Sequence, residues 1–541
     1  MMPDTPQAPA NAKRRAVVLV AVLVVIVILS LAGYHYADLM LAEYKASEAT
    51  HRAMQAQKAA DSGIHYAAAL LSNPDNFSGM LDSNPWNNPQ MFQGIQIQGD
   101  GNQVWYFDII APPNIDDSSS TLTPIYGVQD EGAKINLNAQ MKVDPTGTTL
   151  YNMLMLLPNM TQQIAANIVA WMGGSYGLTQ GGVGDDTYMG LPQPYHCKNA
   201  PLESIDELML VQGVTWDLLY GSDLNRNGVQ EDGELGPYGF VRGWSAYLTV
   251  HSREQNYDAN GVPFIYLNNT DLSQLYGLLQ DAGLGDLATF IIMYRQNGPT
   301  NSTGSTPGLA STLKAMVGGG GGTATASVMQ GSVSSYTPQF TKAGSTNFTS
   351  IFQLCNTYVT IQSTVNGKSV TTVYPSPLND PASQNELLAN LFAVASLVQT
   401  TEIPARININ TAPSAVLATL PGLQPSDVQT ILSVRPDPTT GGTLTDPMYQ
   451  SPAWLLTQAG ISLSTLQKLD SYITTRSQVY RVQSVGYFSP DGKGPAIRLE
   501  AVIDTNAGRP RILAWRNLSE LGRGWTPANG MAAPTTPTTN P

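Results

Sequence analysis

Charge is scarce in this chain. Only 12% of its 541 residues are Asp, Glu, Lys or Arg, and the acidic ones outnumber the basic ones 40 to 27. A net charge of −13 offers little with which to neutralise a phosphate backbone, so nucleic acid is not an expected partner. Cysteine is nearly absent. Cys197 and Cys355 are too few for a disulfide scaffold, and their wide separation leaves open whether they bridge. Catalytic signatures are missing too. There is no Gly-x-Ser-x-Gly, His-Glu-x-x-His, Walker loop or Cys-x-x-Cys, and His35, His51, His65, His196 and His251 form no ligand pair. No enzyme is expected. Long apolar runs are lacking with one exception, Ala16–Ala32, whose only polar member is Ser30.

That exception organises the rest. Lys13, Arg14 and Arg15 stand directly before it, and positive charge keeps its own side of a spanning helix cytoplasmic. The run matches the short end of a membrane span, assigned to 16–33. The chain is then a single-pass membrane protein with its bulk exported, which in a bacterium means the inner membrane and the periplasm. A cleaved secretory signal would end its helical pattern at a small-residue site, but here no proline interrupts before Pro74. Over 34–72, Ala42, Ala46, Ala49, Ala53, Ala56, Ala60, Gly63 and Ala67 recur at alternating four- and three-residue spacing. This heptad seam of small side chains lets another backbone approach closely, and marks an assembly face. At ~1.5 Å per residue, positions 16–71 make a rod roughly 80 Å long.

Residues 73–133 read as turns and short strands, with Gln96–Gln98 and Val104–Ile110 on either side of a turn at Gly99–Asn102. From 134 to 436 the pattern becomes helical. An apolar-Asn-apolar-Asn strand end (Ile265-Tyr266-Leu267-Asn268 in the middle copy, with Tyr266 at the first Asn position), followed by two Leu-rich helices joined by a hairpin, occurs at 134–173, 263–297 and 405–436. The strand-end asparagine can cap the helix that follows. The third copy, with Leu420-Pro421-Gly422-Leu423, looks like a helix-hairpin-helix unit. Only Arg406 and Arg435 flank it, so it reads as a packing module. A Gly/Ser/Thr-rich stretch at 298–350, with five glycines at Gly318–Gly322, reads as a flexible insert. Strand patterns return within 437–520, at Val479–Val485, Ala496–Asp504 and Arg511–Trp515, and 521–541 reads as a disordered tail. The fold class is α+β: a long N-terminal helix and a small antiparallel sheet, with a large, mainly helical domain inserted between strands.

One loop has ligand arithmetic. In residues 223–234, Asp223, Asn225 and Asn227 hold positions 1, 3 and 5, Gly228 holds 6, and Glu234 holds 12. This is the spacing of an EF-hand calcium loop, where Val229 supplies a carbonyl and Glu231 acts at position 9. Two asparagines lower the ligand charge, which suits a structural calcium clamp in an exported protein. The competing reading is an Asn/Gly-rich turn.

Several motifs in order carry a family resemblance. They are the basic-then-apolar helix; Ala59-Ala60-Asp61-Ser62-Gly63-Ile64; Asp130-Glu131-Gly132-Ala133-Lys134-Ile135-Asn136-Leu137-Asn138; Asp185-Asp186 with Tyr188, Gly190 and Leu191, then Pro194-Tyr195; Pro201-Leu202-Glu203-Ser204-Ile205-Asp206-Glu207-Leu208; and Arg406-Ile407-Asn408-Ile409-Asn410-Thr411-Ala412. Over most of its length the chain resembles the K subunit, the large minor pseudopilin of bacterial type II secretion. The resemblance implies a pilin-like fold with helix-hairpin-helix or SAM-like repeats in the inserted domain. It also implies a non-enzymatic place at the tip of the periplasmic pseudopilus, among I- and J-type minor pseudopilins and the major pseudopilin. A leader of residues 1–15 would be removed by prepilin peptidase and the new terminus methylated.

The sequence departs from the family pattern in places. The cleavage position, Ala16 before Val17 with Arg15 before Ala16 as the rival, lacks the usual glycine. Calcium sites are known in the family, but Trp171-Met172-Gly173-Gly174 stands where acidic residues are common, which leaves Asp185 and Asp186 as weaker ligands. Counting from Val17, the fifth residue is Ala21, where most pilins carry a glutamate that pairs with a neighbour's N-terminus. Lacking it suits a subunit with none above it. The alternatives are a minor pilin of a type IV pilus and a membrane-anchored helix-hairpin-helix DNA-binding protein.

Overall fold

The computed structural model describes residues 10–524 apart from 98–103, 117–123, 232, 235, 237–239, 259, 301–327, 366–367, 438–445, 489–493 and 507–508. Most of the expected leader, the Gly99–Asn102 turn, the five-glycine run and nearly all of the expected tail therefore lie outside the described residues. The first element, α1 (Ala10–Ser72), is one unbroken helix of 63 residues. From Val17 to Leu31 its large apolar side chains are exposed, and among the described residues it alone is long and apolar enough to cross a membrane. It ends where Asn73 turns its side chain to the N–H of Asp75, 2.9 Å away, and caps the short helix Pro74–Gly79.

The sheet is assembled from both ends of the chain. β1 (Ile95–Ile97), β2 (Trp105–Ile110) and β3 (Gln129–Asp130) precede the insertion; β4 (Val479–Phe488), β5 (Ala496–Asp504) and β6 (Arg511–Asn517) follow it. The order is β1-β2-β4-β5-β6, antiparallel throughout, with β2 against the second half of β4 and β3 against Tyr480 and Arg481 in its first half. Helix α1 lies on one face. Ala60, Ile64 and Ala67 pack with Phe107, Val482 and Leu499, and Ala56 and Ala59 with Trp105. The approach is close enough that a Cβ on Gly63 would collide with Ser484 and Phe107, and one on Gly486 with the Ala56 carbonyl.

This divides the small-residue seam. Ala56, Ala60 and Gly63, expected on an assembly face, are buried against the chain's own sheet. Ala42, Ala46 and Ala49 are exposed and Ala53 is half-buried. Heptad spacing reports that something packs closely, not whether that partner belongs to the same chain.

Everything from 131 to 478 is inserted between β3 and β4, so the insertion runs past the expected limit of 436. It holds three units, each longer than its sequence repeat and each closed by a parallel two-residue ladder. Ile135–Asn136 pairs with Leu248–Thr249, Ile265–Tyr266 with Ala395–Ser396, and Ile407–Asn408 with Ile473–Thr474. Helix pairs follow the first strand in each: Thr148–Leu154 and Gln162–Trp171, Leu272–Asp281 and Gly285–Asn297, Ser414–Leu417 and Pro425–Val434.

The strand-end asparagines do more than cap. Asn136 caps Leu137–Val143 as expected. The next asparagine clamps a distant backbone in every unit: Asn138 donates to Leu202 O and accepts from Leu202 N, Asn268 does the same to Phe348, and Asn410 donates to Tyr449 O, each within 2.9 Å. Arg295 ends the second helix of the middle unit and donates to the carbonyls of Leu267, Asn269 and Thr346. These contacts correct the expected flexible insert at 298–350. Its described part forms the strand Val328–Gln330 and buries Val333 and Phe348, because Arg295 and Asn268 capture its backbone.

Adding bulk to the two ends of the seam should therefore have different effects. Gly63→Leu is expected to cost at least about 2 kcal/mol through overpacking, whereas Ala49→Leu stays within about 0.5 kcal/mol of the parent. Thermal melting of the detergent-solubilised chain checks both, and equal losses would refute the division.

Candidate assembly face and cation loop

The insertion is fixed to the sheet by buried charge. Glu131, fully buried, accepts from Lys134 Nζ at 3.1 Å, from Arg481 Nε at 2.8 Å and from the Thr249 hydroxyl. Burial alone would raise its pKa, but Arg481 and then Lys134 outweigh that and hold its carboxyl below the usual range. Arg481 continues to Glu500 at 2.7 Å. Beside it Asp130 accepts from Gly132 N (2.7 Å), Asn408 Nδ2 (2.9 Å), Thr411 Oγ1 (2.6 Å) and Ser477 Oγ (2.7 Å). Two adjacent residues thus bind the first unit, the third unit and β4 together.

The exposure of α1 continues beyond its apolar run. Tyr34, Tyr36, Leu39, Met40, Leu41 and Tyr44 are all exposed, on the same stretch as Ala42, Ala46 and Ala49. An exposed apolar stretch of this size marks a protein or membrane contact surface.

The 223–234 loop closes on itself. Asp223 Oδ1 and Oδ2 accept from the N–H groups of Asn227 (3.1 Å) and Gly228 (2.8 Å), Asn225 Oδ1 from Asn227 N (3.0 Å), and Asn227 Oδ1 from Val229 N (2.7 Å). Glu234 accepts from Leu224 N and Glu231 N, both at 3.0 Å. Gly228 makes the turn at φ 74°. Asp223, Asn225, Asn227 and Glu234 are buried and Glu231 is exposed, receiving the Nδ2 groups of both asparagines. Burial, with Glu234 nearby, pushes the Asp223 carboxyl up to about 6. Among the described residues no three His, Cys, Asp or Glu side chains form a ready metal group, so a cation here would rely on amide and carbonyl oxygens as well.

The other sequence candidates have local employment. Asp185 accepts from Cys197 N (2.7 Å) and bonds His196 Nδ1 (2.8 Å), while Asp186 is exposed. Cys197 and Cys355 are buried free thiols, so the pairing left open by the sequence is not formed. Val17 lies within α1, as does the backbone of Ala16. Arg406 is spent on Glu254, at 2.8 Å through Nε, and Arg435 on the carbonyls of Ile409 and Ala412. Sequence reasoning missed the sheet's hold on the cation loop. Gln483 Nε2 donates to Arg226 O at 3.2 Å, Arg498 to Asn225 O, and Asn227 Nδ2 to Gly524 O at 3.0 Å. The available signal was charge inside buried strands: Arg481, Arg498 and Glu500 interrupt apolar runs.

Comparison with known proteins gives two matching segments. Residues 133–220 and 407–476 each match a model described as Type II secretion system (T2SS), protein K. The middle unit lies outside both. The crystal structure of the GspK-GspI-GspJ complex from the enterotoxigenic Escherichia coli type 2 secretion system aligns over 88% of this chain and 99% of the matched one, at 10% identity and a TM-score of 0.30. That likeness is too slight to bear on the fold. No curated protein matches the chain.

A pH dependence follows from Asp108 on β2. Gly94 N–H and the Tyr487 hydroxyl serve its Oδ1, its Oδ2 has no partner among the described residues, and burial pushes its carboxyl up to about 7. An unfolded Asp titrates near about 4, so between roughly pH 4 and 7 the folded chain holds the extra proton and stability falls as pH rises. Asp108→Asn should remove about 2–4 kcal/mol of that fall, read as a smaller melting difference between pH 4 and pH 7.5. An unchanged difference refutes the assignment.

Proposed function

We propose that the chain, whose segments near both ends of the insertion match the protein K models of the type II secretion system, is a non-enzymatic minor pseudopilin at the tip of the pseudopilus. In this reading Lys13–Arg15 keep the leader cytoplasmic, prepilin peptidase cuts between Ala16 and Val17, and the terminus is methylated. The body then sits in the periplasm, and α1 packs beside the helices of I- and J-type minor pseudopilins and the major pseudopilin. The observation that carries this is the uncovered stretch of α1. Its own sheet takes Ala56 to Gly63 and leaves Ala42, Ala46 and Ala49 to others. Positions 16–33 hold no carboxylate, so nothing in the lipid calls for the amine of a subunit above. A DNA receptor is disfavoured because Arg406 and Arg435 are engaged internally.

The test is crosslinking of the membrane-inserted chain to I- and J-type partners. Ala49→Leu is expected to cut the crosslinked fraction at least about fivefold, equivalent to roughly 1 kcal/mol, with insertion unchanged. Full crosslinking would remove the seam from the interface, and recovery with DNA in place of these partners would replace the reading.

A structural calcium ion at 223–234 belongs to the same proposal. The donor set is all oxygen: the side chains of Asp223, Asn225, Asn227, Glu231 and Glu234, and the Val229 carbonyl. The N–H contacts of Asp223, Asn225 and Asn227 draw positions 1, 3 and 5 into one tight turn, which supports the reading. A bound ion would supply the charge that the buried carboxylates lack, and these residues would hold it. Chelator is expected to lower the wild-type melting temperature by several degrees and to leave Glu234→Ala unmoved. If chelator moves neither protein, the calcium assignment is dropped.

A further inference from the structure

The cation loop is pressed by a cation that is not its own. Arg226, within the loop, turns its guanidinium away, 3.7 Å above the Tyr220 ring and 5.0 Å from that of Trp216. Arg498 comes instead from β5, is 1% exposed, and donates through Nη2 to the main-chain oxygen of Asn225. Its Nε and Nη1 have no partner among the described residues. A buried guanidinium with two unused donors is costly unless carboxylates nearby offset its charge. Burial outweighs the attraction of Glu500 on the same strand and of the loop's own Asp223 and Glu231, and Arg226 adds repulsion, so the Arg498 charge is only partly offset.

We propose that Arg498 is a built-in competitor of calcium at the 223–234 loop, so that an ion entering the loop and the seating of the sheet on the loop weaken one another. This rests on the calcium reading above. Residues 225, 226 and 227 are the ones held from outside, by Arg498, Gln483 and the Gly524 carbonyl. Two of these three residues are ligands at positions 3 and 5. A divalent ion among them repels the guanidinium, and the guanidinium lowers the ion's affinity by the same factor, because coupling between two bound charges is reciprocal. The loop then serves as a contact whose tightness depends on calcium, between the inserted unit and the sheet.

The experiment is calorimetric titration of calcium into the full detergent-solubilised chain, comparing wild type, Arg498→Gln and Arg498→Lys. Gln keeps a donor and removes the charge; Lys keeps the charge. Arg498→Gln is expected to bind calcium on the order of tenfold tighter, and Arg498→Lys to stay within about twofold of wild type. Unchanged or weaker binding by Arg498→Gln, with wild type still binding, overturns the competition and spares the calcium reading. No uptake by wild type at millimolar calcium removes both. Hydrogen exchange of the 518–524 segment in wild type supplies a readout that does not depend on a variant folding. Competition predicts faster exchange with calcium, and slower exchange overturns it.

Discussion

The structure depends on an ion pair between a fully buried carboxylate and a mostly buried guanidinium. Glu131 and Arg481 lie 350 residues apart in the chain and 2.8 Å apart in the fold, one at the start of the insertion and the other just beyond its end. Desolvating both groups is expensive, and the expense is met only because Lys134, Thr249 and Glu500 complete the set. Such a network does not tolerate a shifted register. A sheet whose halves come from opposite ends of a long insertion has many near-equivalent pairings, and a buried charge that is satisfied in only one of them selects it.

Some of this was legible in the sequence, and the reason is period. The long helix, β5 and the flanks of the sheet follow from unbroken helical or alternating patterns and appear close to where the pattern puts them. What could not be read depends on partners. The Asp130-Glu131 pair stands out as a motif, but its work depends on Thr249, Asn408 and Arg481, which no local rule connects to it. The seam shows small residues without showing that half are consumed internally. Residues 328–350 have a composition that suggests no structure, and acquire one because Arg295 and Asn268 hold their carbonyls and amides. Within residues 223–234 the Asn/Gly-rich turn was legible and the residues gripping it from the sheet were not.

The three inserted units show how one solution is reused. Each opens on a strand and returns on a parallel neighbour, and each spends an asparagine side chain on a distant backbone. Asparagine suits this because its amide offers a donor and an acceptor side by side, matching the N–H and C=O of one residue. At Leu202 and at Phe348 both are used. Arg435 meets the carbonyls of Ile409 and Ala412 as Arg295 meets those of Leu267 and Asn269, so the arginine that reads as a ligand in a single unit becomes structural once two are compared.

The middle unit leaves and rejoins the chain at nearly one point. Glu254–Gln255 and Glu402–Ile403 pair antiparallel, and Arg253 grips Glu402 through two bonds of 3.0 and 3.1 Å across the same junction. A loop pinned at its neck carries no tension when its two ends are pulled. Tension along the chain between the first and third units therefore crosses this neck and bypasses the second, which can lengthen or shorten without slackening that line.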